Sequence, residues 1–495
     1  MVVNSICFLL FFVVVFIGYY TPAISKNTRF QNAWLFIASY FFYGFANWKM
    51  IPLLLGATVV FYGIGLWLKK EMEKGHTRNA SNITTFGVIL GVGVLLYFKY
   101  LNFFADSFAM FLNSIGLAVS WTTLNIVLPI GVSFFTFKLI SYVIEIHREH
   151  IQPCRDFIEF GTYVAFFPTI LSGPIDRPNT FIPQICASRA FNYDLAADGC
   201  RQILWGMFTK MCIADNLAPI TDGLWSDMGI FSSSTFLCVA LLYPIQMYAD
   251  FDGYSNMAIG IGKILGFKIT RNFNHPFLAR NVAEYWRRWH MSLTSWITDY
   301  VYMPLNISFR NWGNIGVILA VIINLVVIGL WHGANWTYAI FGLYHGLLFI
   351  PLVLSNTFGK NKKLKENLWG LPKGTDFIKM IMTYLLISIG LIIFRAPSVG
   401  DISVFLCQLS NFSAYSISRS YYELLGLDLQ LYVLVFILIL IVTEWRKRKC
   451  QYNLEIASDS VLARNKYLRW TLYVFLLTIT FLCKGVEAQF IYFQF

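Results

Sequence analysis

The sequence predicts an all-α, polytopic membrane protein, and three observations carry that prediction. Hydrophobic residues make up 57% of the 495 and charged residues only 13%. Apolar stretches approaching the ~20 residues needed to cross ~30 Å of hydrocarbon recur along the chain. The 38 basic residues exceed the 26 acidic ones, a formal charge of +12, and they gather in short loops beside apolar runs, at residues 69–78, 360–365 and 446–449. Topology and anionic lipid account for that pattern, and no nucleic-acid partner is implied. Alternating segments of about 10 residues are absent, which argues against an outer-membrane barrel. The nine cysteines are scattered with no CxxC pair, so neither a disulfide framework nor a zinc site is read.

Taken in order, residues 2–20 lack a basic n-region and a small-residue cleavage site, which reads as a retained first span. Spans follow at about 33–46 and 52–68, between basic loops that the positive-inside rule places in the cytoplasm, with the N-terminus outside. Residues 83–100 form another span, and 103–119 either a short span or an interfacial segment. Residues 127–146 precede the loop HREHIQPCR, whose His147 and His150 read as solvated. The apolar run 157–171 meets a set of prolines from Pro168 to Pro183 that excludes a regular helix. That stretch is either the lip of a cavity or a surface loop.

Residues 201–217 and 234–251 are further spans, the second running into YADFDGYSNMAIGIG. Its carboxylates Asp250 and Asp252 either serve a polar site or cap and pack a broken helix. Arg271, His275, Arg280, Arg287 and Arg288 then form a basic approach, suited to a phosphate-bearing donor and equally to a positive-inside loop.

The segment 283–345 concentrates the unusual residues: AEYWRRWHMSLTSWITDYVYMPLN, then GLWHGANW, then FGLYHG. At 100° per residue, Trp286, Trp289, His290, Leu293, Trp296, Ile297 and Tyr300 share one arc, with Arg287, Arg288, Ser292, Thr298 and Asp299 opposite. One amphipathic helix is expected, lying at an interface and carrying His290 inward. Residues 314–329 are apolar except Asn314 at the start and Asn324, and His332 follows closely. An ionisable group at that depth faces a cavity or a partner, which makes His332 the strongest catalytic candidate. His345 is thirteen residues further on, about 20 Å along a straight helix, and is not expected to share a reacting atom with His332.

After spans at about 377–394, 429–443 and 470–483, the chain ends KGVEAQFIYFQF. Four aromatics in the last six residues are poorly suited to water. The eleven residues after Lys484 extend about 36 Å, enough to reach back into the protein body. On residues alone the tail reads as packing. The organisation expected is one integral-membrane domain, 1–495, with a catalytic core segment at 283–345 and an aromatic tail at 485–495.

Four words in this order, MYADFDGYSNMAIGIG, EYWRRWHMSLTSWITDYVYMPL, LWHGANWTYAIFGLYHG and FIYFQF, resemble the membrane-bound O-acyltransferase (MBOAT) family. The resemblance is to its bacterial branch of alginate and peptidoglycan O-acetyltransferases and teichoic acid D-alanyl exporters, and it runs from about Ile130 onward. It implies a ring of about 11 to 13 transmembrane helices plus re-entrant or amphipathic helices around a central funnel. The family's central histidine maps to His332 and its second to His290. The terminal motif maps an acyl-accepting tyrosine onto Tyr492, which reverses the packing reading. The chain departs from the family's words at Thr298, before Asp299, and at Asn306 and Ile307. Asp252 stands where serine is usual, and Asn256 where a second aspartate is usual.

The implied chemistry moves an acyl group from a thioester to a hydroxyl that is almost wholly protonated at neutral pH. A histidine of ordinary pKa ~6.5 suits the base, a role worth ~10²- to 10⁴-fold. His332 is assigned as base, with Trp331, Gly333 and Asn335 shaping its pocket, and His290 orients or assists. Asp299, Asp250 and Asp252 are expected at the substrate, and Arg280, Arg287 and Arg288 at the donor. Acetyl-CoA is the expected donor substrate, with no permanently bound cofactor or metal. A polysaccharide acceptor and an extracytoplasmic, SGNH-hydrolase-like acetyltransferase partner complete the expectation. The location expected is a bacterial cytoplasmic membrane with both termini outside. D-alanyl transfer is the nearer alternative. A proton-coupled transporter using His290 and His332 is the rival, but no second copy of the histidine-bearing words is present.

Overall fold

Apolar runs without alternation leave helix as the way to satisfy every backbone group out of water. The computed structural model describes residues 3–117, 126–359, 370–457 and 460–491, and among them every regular element is helical. Tyr492 with the end of the tail, and the basic loop at 360–365, lie outside the described residues.

The chain divides into two compact units, residues 1–200 with 258–270, and residues 201–257 with 271–495. The first contains α1 (Ile6–Tyr20), α2 (Thr28–Asn47), α3 (Ile51–Glu73), α4 (Thr77–Leu95) and α5 (Val132–His147). Helix α5 is buried along almost its whole length, because small residues on its neighbours let backbones approach. Gly65 of α3 faces Tyr142, and Gly91 of α4 faces Ile140 at a spacing of 2.6 Å from where a Cβ would stand. The buried Lys138 donates to Tyr163 O at 3.2 Å and Thr169 Oγ1 at 3.1 Å.

Two expectations change in this unit. The weak segment after residue 100 is not a separate element: α4 continues through a π turn at Leu96–Tyr100 into a helix ending at Ser114. The proline-rich stretch does contain a regular helix, α6 (Pro178–Cys186), with Pro183 inside it. Pro178 at its first position gives up an N–H that would have no helical partner anyway. Residues 171–176 before it are buried, which removes the surface-loop alternative.

The second unit takes the end of α7 (Tyr193–Phe208), a π turn (Thr209–Ala214), α8 (Asp215–Ser226) and most of α9 (Ser233–Ile264). Helix α9 is unbroken for 32 residues, so the broken-helix reading of Asp250 and Asp252 is corrected. Then come α10 (Val282–Trp286), α11 (Met291–Ile297), α12 (Gly313–His332), α13 (Trp336–Leu354), α14 (Gly374–Arg395), α15 (Leu431–Arg446) and α16 (Lys466–Leu482). The single amphipathic helix expected through His290 is really two short ones. His290 itself stands between them in the left-handed region, φ 43° and ψ 51°.

Helices α12 and α13 form a hairpin closed by small residues. A Cβ on Gly329 would strike Tyr338 O, and one on Gly342 would strike Leu325 O and stand 2.6 Å from Val326 Cα. Five helical segments among the described residues are long and apolar enough to cross a bilayer, six if the bent pair Ile417–Gly426 and Leu431–Arg446 counts as one. Other expected spans are shorter, as in α1 with 15 residues and α16 with 17, or carry buried charges, as in α9.

Candidate functional site

His332 is the last residue of α12, and the bend into α13 sets its position. Gly333 is extended there, and a Cβ on it would collide with the Tyr338 ring. Asn335 caps α13 by accepting from Thr337 N at 3.1 Å and donates to Pro397 O at 2.9 Å. Its amide therefore holds the bend. The His332 ring is 5% exposed and meets Trp331 at 5.0 Å, Phe394 at 4.9 Å and Phe341 at 6.4 Å between centroids, all edge-on.

His290 is held by hydrogen bonds as well as rings. Its Nδ1 lies 3.0 Å from Asn272 Oδ1, which also accepts from Ser292 Oγ at 2.8 Å and Ser292 N at 3.4 Å. A backbone N–H aimed at that atom fixes it as oxygen, so Nδ1 carries the proton and Nε2 keeps its lone pair. Asn272 O accepts from Met291 N at 2.7 Å, which secures the left-handed turn. The ring stands edge-on to Phe251 at 4.7 Å and to Trp331 at 5.8 Å. Trp331 thus touches both candidate imidazoles.

His345 belongs elsewhere: its Nδ1 accepts from Trp286 Nε1 at 3.3 Å, and Gly390 leaves room for its Nε2.

The predicted carboxylates separate. Asp250 is buried and its Oδ1 lies 2.7 Å from Lys210 Nζ. Asp252, two residues on, accepts from Asn256 Nδ2 at 2.8 Å, and Asn256 Oδ1 accepts from Gln202 at 2.8 Å. Asp252 and Asn256 are one helical turn apart on α9 and are bonded to each other. Asp299 is exposed, in a π turn at Thr298–Tyr302.

Two of the predicted donor arginines are occupied. Arg280 Nε pairs with Glu284 Oε2 at 3.0 Å and its Nη1 reaches Asp376 at 3.5 Å, while Arg288 Nη2 pairs with Glu284 Oε1 at 2.9 Å. Burial pushes the Glu284 carboxyl up, but its bonds to Arg280 and the charge of Arg288 hold it below its usual value. Arg287 is exposed and donates to Phe358 O at 3.4 Å.

Sequence reasoning missed Asn272 and Phe394, which carry no local signal. It also passed over Lys210, whose signal was plain: a cation inside an apolar run. A cavity of about 90 Å³ opens beside it, lined by Lys210, Asp215, Asp222, Gln246 and Arg395 and by Ala488, Gln489 and Ile491 of the tail. Arg395 directly follows Phe394, the ring on His332.

Residues 149–360 match the profile of MBOAT, the membrane-bound O-acyltransferase family. The chain is 36% identical over 403 residues to the probable alginate O-acetylase AlgI of Pseudomonas aeruginosa, covering 81% of this chain and 73% of that protein. It is 31% identical over 446 residues to the peptidoglycan O-acetyltransferase of Helicobacter pylori, covering 82% and 80%. With the teichoic acid D-alanyltransferase of Streptococcus thermophilus the identity is 32% over 316 residues, 59% and 75% of the two chains. A buried histidine pair around one tryptophan in a helical membrane protein agrees with what these comparisons establish: the chain belongs to the membrane-bound O-acyltransferase family and is an O-acyltransferase.

Proposed function

We propose that the protein moves an acetyl group from cytoplasmic acetyl-CoA, across a bacterial cytoplasmic membrane, for O-acetylation of an exported or cell-surface polysaccharide. The observation that carries this reading is the pair of buried imidazoles, His290 and His332, on either side of Trp331. The names of the relatives covering four fifths of the chain support acetyl as the group and a cell-envelope polymer as the final acceptor.

In the reaction, the His332 imidazole takes the proton of an acceptor hydroxyl as the oxygen attacks the thioester carbonyl. The carbon–sulfur bond breaks, and the imidazolium returns the proton to the leaving thiolate. His290, held in one tautomer by Asn272, positions the reacting groups. The first acceptor is the Tyr492 hydroxyl. A phenyl ester keeps the acyl group activated, since a phenolate leaves more easily than a sugar alkoxide. An extracytoplasmic, SGNH-hydrolase-like transferase then passes the group to the polymer. The exposed Arg287 meets the donor phosphates, and both chain termini lie outside.

The test is incorporation of labelled acetyl from acetyl-CoA into the purified full-length protein, beside His332→Ala and Tyr492→Phe. A hydroxylamine-sensitive label lost in both variants supports donor, base and relay together. Label that survives Tyr492→Phe overturns the relay. No label from acetyl-CoA, with label from a D-alanyl carrier protein, overturns the acetyl assignment.

A further inference from the structure

A second buried centre lies on α7–α9, and the chain's own tail occupies it. The π turn Thr209–Ala214 interrupts the regular helical ladder, a distortion that often accompanies function. Met211 O there accepts from Gly485 N at 2.9 Å. Lys210 Nζ, in the same turn, lies 2.7 Å from Asp215 Oδ1 and 2.7 Å from Asp250 Oδ1, and donates to Ala488 O at 3.3 Å. The other Asp250 oxygen accepts from Ile491 N at 2.9 Å. Lys210, Asp215 and Asp250 are 4% exposed or less at their side chains.

The tail is therefore gripped by its backbone at three places, at residues 485, 488 and 491. Side chains complete the fit. Phe490 is 2% exposed, with its ring 4.8 Å from Tyr254 and 5.8 Å from Phe251. Gly485 passes so close to α8 that a Cβ would stand 2.5 Å from Asp215 C and 2.6 Å from Asn216 N. Phe251, which carries Phe490 on one side, carries His290 on the other. Asp250 and Phe251 are adjacent on α9, so one turn of helix registers the tail against the histidine centre.

We propose that this π turn with Lys210, Asp215 and Asp250 is a peptide-docking site for residues 485–491, and that Lys210 is a positioning residue for acyl transfer. The catalytic half of the inference rests on the relay through Tyr492 proposed above; the docking half does not. Two carboxylates around one ammonium leave a net negative charge, which the Ile491 N–H meets directly. Charge-assisted bonds to backbone are strong and directional, so the dock fixes the path of the chain up to the residue before Tyr492.

The test is amide hydrogen exchange on the full-length protein in detergent, read by mass spectrometry, with acetyl labelling run in parallel. Residues 485–491 should exchange slowly in the native chain. Lys210→Met should speed them at least tenfold, leave 313–332 unchanged and cut labelling at least tenfold, with Lys210→Arg retaining most of both. Gly485→Ala should free the tail in the same way, through its clash with the Asp215–Asn216 backbone, while keeping all three charged side chains of the triad. It decides the matter if Lys210→Met also loosens 313–332. A tail that stays protected in Gly485→Ala overturns the dock. A freed tail with undiminished label overturns the positioning role. Full label in Tyr492→Phe removes the relay and with it the catalytic half, while the exchange result still stands or falls alone.

Discussion

Two buried centres of the same unit keep polar groups out of water in opposite ways. Around His290 and His332 the neighbours are rings, Phe251, Trp331 and Phe394, with one hydrogen bond from His290 Nδ1 to Asn272 Oδ1. Around Lys210 they are charges, Asp215 and Asp250, with tail backbone filling the remaining positions. Aromatic rings pack against an imidazole without adding a charge beside it. A buried ammonium is tolerated only when paired. The difference separates a centre suited to exchanging protons from one suited to holding a chain still.

The sharpest way to break this contrast is to remove the proposed base. His332→Ala is expected to lower acyl transfer by ~10²- to 10⁴-fold with the tail still protected from exchange, both measured on the same preparation. A loss of tail protection would merge the two centres into one.

Asn272→Ala comes next. It removes the acceptor that sets the His290 tautomer, and losing a buried hydrogen bond of ~1–3 kcal/mol corresponds to roughly 5- to 150-fold in transfer. Asn272→Asp keeps an acceptor and should retain more activity. Equal losses in both would assign Asn272 to packing alone.

A smaller effect is expected at the hairpin that seats His332. Gly329→Ala drives a Cβ into Tyr338 O and should cost about 1–3 kcal/mol of stability, seen as a lower unfolding temperature. Gly93→Ala, where a Cβ meets nothing within 4 Å, should be neutral or slightly stabilising.

The smallest effect concerns pH. Glu284 sits below its usual carboxylate value because Arg280 and Arg288 favour its charged form. The stability it adds is complete above the ordinary value and fades as pH falls through the lowered one. Unfolding temperature should drop more steeply on acidification in the native chain than in Glu284→Gln.

Much of the fold was legible because its signals are local. Runs of apolar residues long enough to span, basic loops between them and a histidine directly after an apolar segment can all be read within about 20 residues. The break at His290 was not legible, because Asn272, 18 residues earlier, stabilises the left-handed turn. Helical periodicity around Trp286–Tyr300 pointed the other way. Arg280 and Arg288 read as part of a basic approach, although each stands four residues from Glu284, the spacing at which both pair with it. Lys210 was visible as a cation in an apolar run, but its contact at Ala488 is 278 residues away.

The sequence by itself determined an all-helical membrane protein, the family words and the two histidines. Hydrophobic patterning and chain-local motifs need no partner to be read. Tertiary structure alone decided that Trp331 joins the histidines, that Asn272 chooses the tautomer of one of them, and that Lys210 grips the tail. Those choices are made by hydrogen bonds and ion pairs between distant segments, and their energies depend on a separation of a few ångströms in a dry interior.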